Sequence, residues 1–279
     1  MQRLYLRLLI VSAMLAGLFI GPTGAAERFI TVASTTSTEN SGLFDAILPR
    51  FQQESGIAVR AISLGTGQAI KAAERGDADV LFVHHKPSEE QFVAAGFGVK
   101  RYDVMYNDFV IVGPRADPAG IKGMTDASAA LARIATQQAV FVSRGDDSGT
   151  HKLEMSLWQA AVIDPSGAHN SWYREVGAGM GATLNTARAM DGYTLTDRAT
   201  WLSFKNTGEL ALLVEGDTRL FNQYGVILVN PAKHGHVKAT DGQAFIDWLL
   251  SDHGQHAIAE FRIEGEQVFF PNAKKRGSH

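Results

Sequence analysis

The chain has 279 residues, of which 45 % are hydrophobic and 20 % charged, with a net charge of −3. That composition supports a large core and excludes a disordered chain, and an acidic balance without a basic block argues against a nucleic-acid partner. The absence of cysteine excludes disulfides, thiol catalysis, cysteine-ligated zinc and a lipidated cysteine anchor.

The N-terminus comes first. Arg3 and Arg7 precede the apolar run Leu8 to Ile20, which is too short to span a bilayer. The small residues of GPTGAA follow. A basic start, an apolar centre and a small-residue exit predict a cleavable signal peptide over residues 1–26. Its removal leaves 24 basic and 29 acidic residues, a net charge of −5. The expectation is a soluble periplasmic protein that is not inserted in the membrane.

Phe29 to Ala33 reads as a buried strand that runs into the polar stretch Ser34-Thr35-Thr36-Ser37-Thr38. Leu43 to Glu54 has apolar residues at helical spacing, with Pro49 expected to disturb it. Ile57 to Leu64 is a second strand, Gly65-Thr66-Gly67 a turn, Gln68 to Arg75 a helix and Ala78 to Val83 a third strand. Strand, polar turn and helix in repetition predict an α/β fold with a parallel sheet. Asp108 to Gly113 and Tyr224 to Asn230 are two similar apolar strands, each close to a proline. They bracket a segment with its own βα pattern and are expected to cross between two lobes. One lobe is residues 27–110 plus 228–279, the other 111–227. The hinge falls near 111–114 and 223–226, where Gly113 and Gly225 offer backbone freedom. One long helix is expected over Asp241 to Phe261.

Ligands of open α/β sheets bind at the carboxyl ends of strands. Three turns there are rich in hydroxyls or glycine: residues 34–38, 64–68 and 143–150, the last reading SRGDDSGT. A fourth stretch, Gly177 to Leu184, opens another helix and is a candidate to line the same cleft. Helix N-termini offer unpaired N–H groups and partial positive charge, and with hydroxyls beside them they form a seat for an oxyanion. Each turn alone also reads as an ordinary cap. Arg144 adds a charge that a cap does not need, and its planar fork meets two oxygens at once. The alternative for Arg144 is a loop ion pair with Asp146 or Asp147, which is compatible with ligand contact.

The histidines offer little. His84-His85 and His234-Gly-His236 have no third ligand at a fitting spacing and read as surface or satisfied side chains, so no protein-ligated metal is expected. Ser148 with His151 lacks the nucleophile-elbow pattern, and Trp158, Trp172, Trp201 and Trp248 read as core. No cofactor and no catalytic residue is indicated.

In order along the chain stand STTSTENSGLFDAILPRFQQESG, LGTGQAIKAAERGDADVLFVH, SRGDDSGTHKLE, GMGATLNTA and YTLTDRATWL. Together they resemble the periplasmic tungstate-binding proteins of ABC-type uptake systems, over almost all of the chain beyond residue 26. That family's opening motif is Thr-Thr-Thr-Ser; here its first position is Ser34, which keeps the hydroxyl. The resemblance implies an α/β periplasmic binding protein of two lobes with two crossing segments, closing on its ligand like a clamp. It implies an oxyanion held by Thr35, Thr36 and Ser37, by Gly65 and Thr66, and by Arg144, Ser148, Gly149 and Thr150. It also implies a membrane permease with its ATPase as partners. The expected molecule is a monomer that binds tungstate, with molybdate, vanadate and phosphate as alternative ligands. Asp146 or Asp147 is the acceptor that a protonated phosphate would need. The reading from another class is a secreted phosphate-ester hydrolase.

Overall fold

The computed structural model describes residues 28–166 and 171–274, so the predicted signal peptide lies outside the described residues. The first lobe is built on β1 (Phe29–Thr35), β2 (Ala58–Leu64) and β3 (Val80–Val83). β1 is rich in β-branched residues and pairs in parallel with β2 from Phe29↔Ala58 to Thr35↔Leu64, and with β3 at Val32 and Ala33. Between them run α1 (Thr36–Asn40), α2 (Leu43–Ser55) and α3 (Thr66–Glu74), and α4 (Lys86–Ala94) follows β3.

The next strand, β4 (Gly98–Pro114), is 17 residues long and changes partners along its length. The second lobe adds α5 (Ala127–Thr136), β5 (Phe141–Ser143), α6 (Gly149–Ala160), β6 (Tyr173–Glu175), α7 (Met180–Ala189), β7 (Thr194–Asp197), α8 (Arg198–Ser203) and β8 (Leu210–Val214). The chain then returns through β9 (Phe221–Val229) to α9 (Ala239–Leu250), α10 (Asp252–Glu260) and the short strands β10 (Arg262–Ile263), β11 (Glu266–Gln267) and β12 (Phe270–Pro271). From Gly98 to Asp108, β4 pairs with β9; from Phe109 to Pro114 it pairs with β7 and β8. The main sheet has the order β12-β4-β9-β3-β1-β2. It is mixed rather than parallel as expected. β9 enters from the second lobe and runs antiparallel to β3 and β4, a direction that strand-by-strand periodicity does not reveal.

The core divides with the lobes. One part joins Ile30, Val32, Phe82, Val226 and Leu228 with Phe51, Phe245 and Trp248, whose rings meet at 5.0 and 5.6 Å. The other joins Phe109, Ile111, Leu195 and Val214 with Phe141 and Trp158, which meet edge to face at 5.2 Å. All four tryptophans are buried.

Two helices depart from expectation. α2 runs through Pro49 without a break. Pro49 and Asp45, whose carbonyl loses its partner, both face solvent, where water replaces a bond worth about 1 kcal/mol. Burial of Leu43, Phe44, Ile47 and Phe51 on the other face, at about 1.5–3 kcal/mol each, outweighs that loss. The expected long C-terminal helix is instead two, α9 and α10. Ser251 has extended backbone (φ −74°, ψ 164°); its Oγ donates to the Trp248 carbonyl at 2.7 Å and accepts the Gly254 N–H at 3.2 Å. Gly254 lies so close to α9 that a Cβ there would stand 2.1 Å from the Trp248 carbonyl oxygen.

Gly113 and Gly225 sit in paired strand without left-handed φ. Their small size admits neighbours: a Cβ at Gly113 would lie 2.3 Å from the Tyr193 ring, and one at Gly225 2.0 Å from Glu89 Oε2.

Candidate functional site

The carboxyl ends of β1 and β3, the start of α3 and the start of α6 converge between the lobes. β1 ends in Thr35, which caps α1 through an Oγ1 that accepts the Thr38 N–H at 3.3 Å. Its Oγ1 is also 3.1 Å from Ser37 Oγ and 2.8 Å from Thr38 Oγ1. Thr35 and Ser37 are buried and Thr36, at the first position of α1, is half-buried. Gly65 is the N-cap of α3 with extended backbone, so the helix begins at Thr66, two residues earlier than expected.

The loop after β5 supplies the other side. Arg144 is 3 % exposed. Its Nη2 donates to Asp146 Oδ2 at 2.5 Å, and Asp146 Oδ1 accepts the Ser148 N–H at 3.2 Å. Asp147 faces outward and pairs with Lys152. Ser148 caps α6 by accepting the His151 N–H at 3.2 Å. Gly149 donates its N–H across the cleft to Thr66 Oγ1 at 3.2 Å. Two buried polar atoms of this loop and helix have no partner: Arg144 Nε and Thr150 Oγ1. The segment from Gly177 flanks the loop, its N–H donating to the Arg144 carbonyl at 2.8 Å.

Of the two expectations for His84, surface or satisfied, the structure shows the second: it is buried with both ring nitrogens partnered. It follows the last residue of β3, is 6 % exposed and joins both sides of the cleft. Its Nε2 is 3.1 Å from both Thr35 Oγ1 and Ser37 Oγ. Its Nδ1 is 3.1 Å from Asn222 Oδ1, and Asn222 Nδ2 donates to Asn107 Oδ1 at 2.6 Å. The ring meets Tyr224 at 4.7 Å in a tilted arrangement, and a Cβ added to Gly149 would lie 3.3 Å from its Cε1. Burial pushes His84 down to about 4, and the positive Arg144 acts in the same direction. The ring is therefore neutral near pH 7. Asp197, which caps α8, is also buried; burial raises its pKa and Arg144 opposes that rise. The signal for His84 was its place at the carboxyl end of a strand, the same rule that singled out Thr35. Asn107 and Asn222 had no such signal, because they lie inside the crossing strands.

The other histidine pair has no part here. His234 and His236 bond to the carbonyls of Glu74 and Gly76 at 2.9 and 2.8 Å. Among the described residues, no three His, Asp or Glu side chains stand close enough to hold a metal ion.

The arrangement presents donors from both lobes, and the nearby carboxylates have partners: Asp146 in Arg144 and the Ser148 N–H, Asp197 in the Thr200 N–H. Hydroxyls of Thr35, Ser37, Thr66 and Thr150, the Arg144 guanidinium and the first N–H groups of α3 and α6 are gathered; Asp146 has both oxygens engaged. Such a set suits a small, fully deprotonated anion.

Residues 21–253 match the family model of the PBP superfamily domain. The tungstate-binding protein TupA of Peptoclostridium acidaminophilum is 48 % identical over 254 residues, covering 90 % of this chain and 88 % of that protein. TupA of Campylobacter jejuni is 39 % identical, covering 86 % of this chain and 90 % of that protein. Among solved structures, the tungstate-binding protein TupA of Desulfovibrio alaskensis G20 aligns with a TM-score of 0.77 at 48 % identity, over 88 % of this chain and all of that one. The tungstate ABC transporter structure from Geobacter sulfurreducens aligns with a TM-score of 0.78 at 47 % identity, over 85 % of this chain and all of that one. A superfamily domain over most of the length, and relatives close to half identical across nearly the whole of both chains, show that this chain belongs to the TupA family of tungstate-binding proteins within the PBP superfamily.

Proposed function

We propose that this protein is the periplasmic receptor of a tungstate uptake system, exported by its signal peptide, and that it works as a monomer. It encloses the tungstate dianion between its lobes and delivers it unchanged to the permease of an ABC transporter. The lobes are residues 27–110 with 228–279, and 111–227; they turn about the strand segments near 111–114 and 223–226. The partner change of β4 at Phe109 and a core in two parts support two lobes, with Phe109, Tyr224 and Val226 in the crossing strands, and Ala199, packing on the other side of these bounds. The anion contacts Thr35, Thr36, Ser37, Gly65 and Thr66 from one lobe and Arg144, Ser148, Gly149 and Thr150 from the other.

The observation that carries this reading is the pair of buried atoms without partners, Arg144 Nε and Thr150 Oγ1. An unsatisfied buried donor costs about 1–3 kcal/mol. Two in one closed cleft, beside buried hydroxyls and the N-termini of α3 and α6, ask for an acceptor with several oxygens and negative charge. Phosphate and vanadate fit less well, because near neutral pH each carries an O–H that needs an acceptor. Asp146, in the same loop, already accepts from Arg144 and from the Ser148 N–H. Hydrolysis fits less well again: Ser148 Oγ accepts the His151 backbone N–H, while the His151 ring nitrogen Nδ1 accepts the Asp147 N–H at 3.2 Å rather than a serine hydrogen. Molybdate matches tungstate in charge and nearly in size, and competes for the same donors.

The test is calorimetric titration of the processed protein with tungstate, molybdate, phosphate and sulfate side by side. Stoichiometric binding of tungstate, with phosphate and sulfate far weaker, is expected. Equal affinity for phosphate, or no heat with tungstate, overturns the reading.

A further inference from the structure

His84 ends the motif that begins at Leu64 but was not among the residues expected to touch the anion, yet it is the residue through which the hydroxyl run meets the crossing strands. The order of hydrogen bonds fixes its tautomer. Asn222 Nδ2 donates to Asn107 Oδ1 at 2.6 Å, so the other end of the Asn222 amide, Oδ1, faces His84 Nδ1 at 3.1 Å. A carbonyl oxygen only accepts. With the Asn222 amide placed this way, Nδ1 carries the proton and Nε2 keeps a lone pair, while Asn107 Nδ2 at the end of the chain has no partner. Two hydroxyls, Thr35 Oγ1 and Ser37 Oγ, stand 3.1 Å from that lone pair, and one hydrogen satisfies it.

We propose that His84 is the positioning residue of the anion site: held as the Nδ1–H tautomer by the Asn222–Asn107 chain, it takes one hydroxyl hydrogen of the Thr35–Ser37 pair at Nε2 and leaves the other free to turn from the neighbouring hydroxyls, 2.8 and 3.1 Å from Thr35 Oγ1, to the bound oxyanion. The inference rests on the proposed oxyanion reading and deepens it. Its consequence is specificity. A neutral histidine adds no charge to the site, and its only acceptor atom is used internally. An oxyanion that carries its own proton, such as hydrogenphosphate, finds no free lone pair on the ring, whereas a fully deprotonated dianion needs none. Because Asn107 lies on β4 and Asn222 on β9, the order of the hydroxyls is set by the two strands that join the lobes. Burial of the ring, packed against Tyr224, keeps it from charging near neutral pH.

Two measurements test this. In the wild-type protein at pH 7, nitrogen-15 spectra of the histidine rings should show His84 with a protonated Nδ1 and a bare Nε2, with and without tungstate; its signals are those missing from His84→Phe. A proton on Nε2, or a doubly protonated ring in the complex, overturns the proposal whatever the variant does. In His84→Phe, which keeps an aromatic ring and removes both nitrogens, the hydroxyls lose their fixed order. Tungstate affinity should fall about tenfold or more, and the ratio of tungstate to phosphate affinity should shrink. Unchanged affinity and ratio in a variant with wild-type circular dichroism overturn it. If the wild type itself binds no tungstate, it is the oxyanion reading that fails, and the ring tautomer still reports on the hydrogen-bond chain.

Discussion

Arg144 and Thr150 carry the plainest consequences of the site. Arg144→Ala should weaken tungstate binding about ten- to hundredfold, the value of a charge-assisted contact of about 1.5–3 kcal/mol. Arg144→Lys should recover only part of it, because the planar fork is lost. Titration calorimetry of the two variants against wild type reads both effects, and full affinity in the alanine variant removes Arg144 from the site. Thr150 separates stability from binding. Thr150 is 1 % exposed and its hydroxyl has no partner within the protein, so Thr150→Val deletes a buried group that the protein itself does not satisfy. The variant should melt no lower than wild type without ligand, yet lose about 1–3 kcal/mol of tungstate affinity. A lower ligand-free melting temperature with intact affinity would reverse both halves. Arg144 stands out in the sequence as a candidate because it is a lone arginine in a glycine-rich helix start. His84 does not, because an adjacent histidine pair reads as surface until its burial is known.

Single elements hold the scaffold under these residues. The break between α9 and α10 depends on Gly254, where a Cβ would lie 2.1 Å from the Trp248 carbonyl oxygen and 2.9 Å from Leu249 Cα. Backbone atoms cannot step aside as a side-chain tip can. Gly254→Ala should therefore cost about 1–3 kcal/mol or more, read as a lower denaturant midpoint. α6 contains a different liability. Glu154 is 1 % exposed and accepts from Ser143 Oγ at 2.8 Å, Trp158 Nε1 at 3.1 Å and Tyr173 Oη at 2.8 Å. Burial pushes its pKa up to about 7 despite those donors. The folded state thus keeps a proton that the unfolded chain releases near 4.3. The resulting stability is fully present below about pH 4.3 and is lost as pH rises through 7. Denaturation midpoints measured from pH 5 to pH 8 should fall more steeply in wild type than in Glu154→Gln, and parallel curves would remove Glu154 as the source.

The whole molecule turns these local devices into a clamp. The Gly149 N–H to Thr66 Oγ1 bond joins the two lobes directly, and the open form would lose it together with the anion's second set of donors. A ligand that contacts both lobes shifts the population toward closure. Small-angle scattering should show a smaller radius of gyration with tungstate than without it. Saturation should also raise stability by RT ln(1 + [L]/Kd), about 4 kcal/mol at a thousandfold excess over Kd. A radius and melting temperature that both stay fixed at saturating tungstate would remove the clamp and the ligand together.

Much was settled by local pattern. The apolar strands, the hydroxyl- and glycine-rich turns at their carboxyl ends and the helices behind them were legible because strand and helix periodicity, and the chemistry of caps, are properties of neighbouring residues. The ordered motifs carried the family in the same way. Tertiary structure alone decided what depends on partners far along the chain. β9 runs antiparallel in a sheet expected to be parallel, because its direction follows from the return out of the second lobe. Pro49 is tolerated because its side of α2 faces water, and the C-terminal helix breaks at Ser251 because α10 must pass against the Trp248 carbonyl. His84 meets Asn222, 138 residues away, and through it Asn107. No local pattern encodes that chain of amides, since hydrogen-bond partners are chosen by where the packed strands bring them.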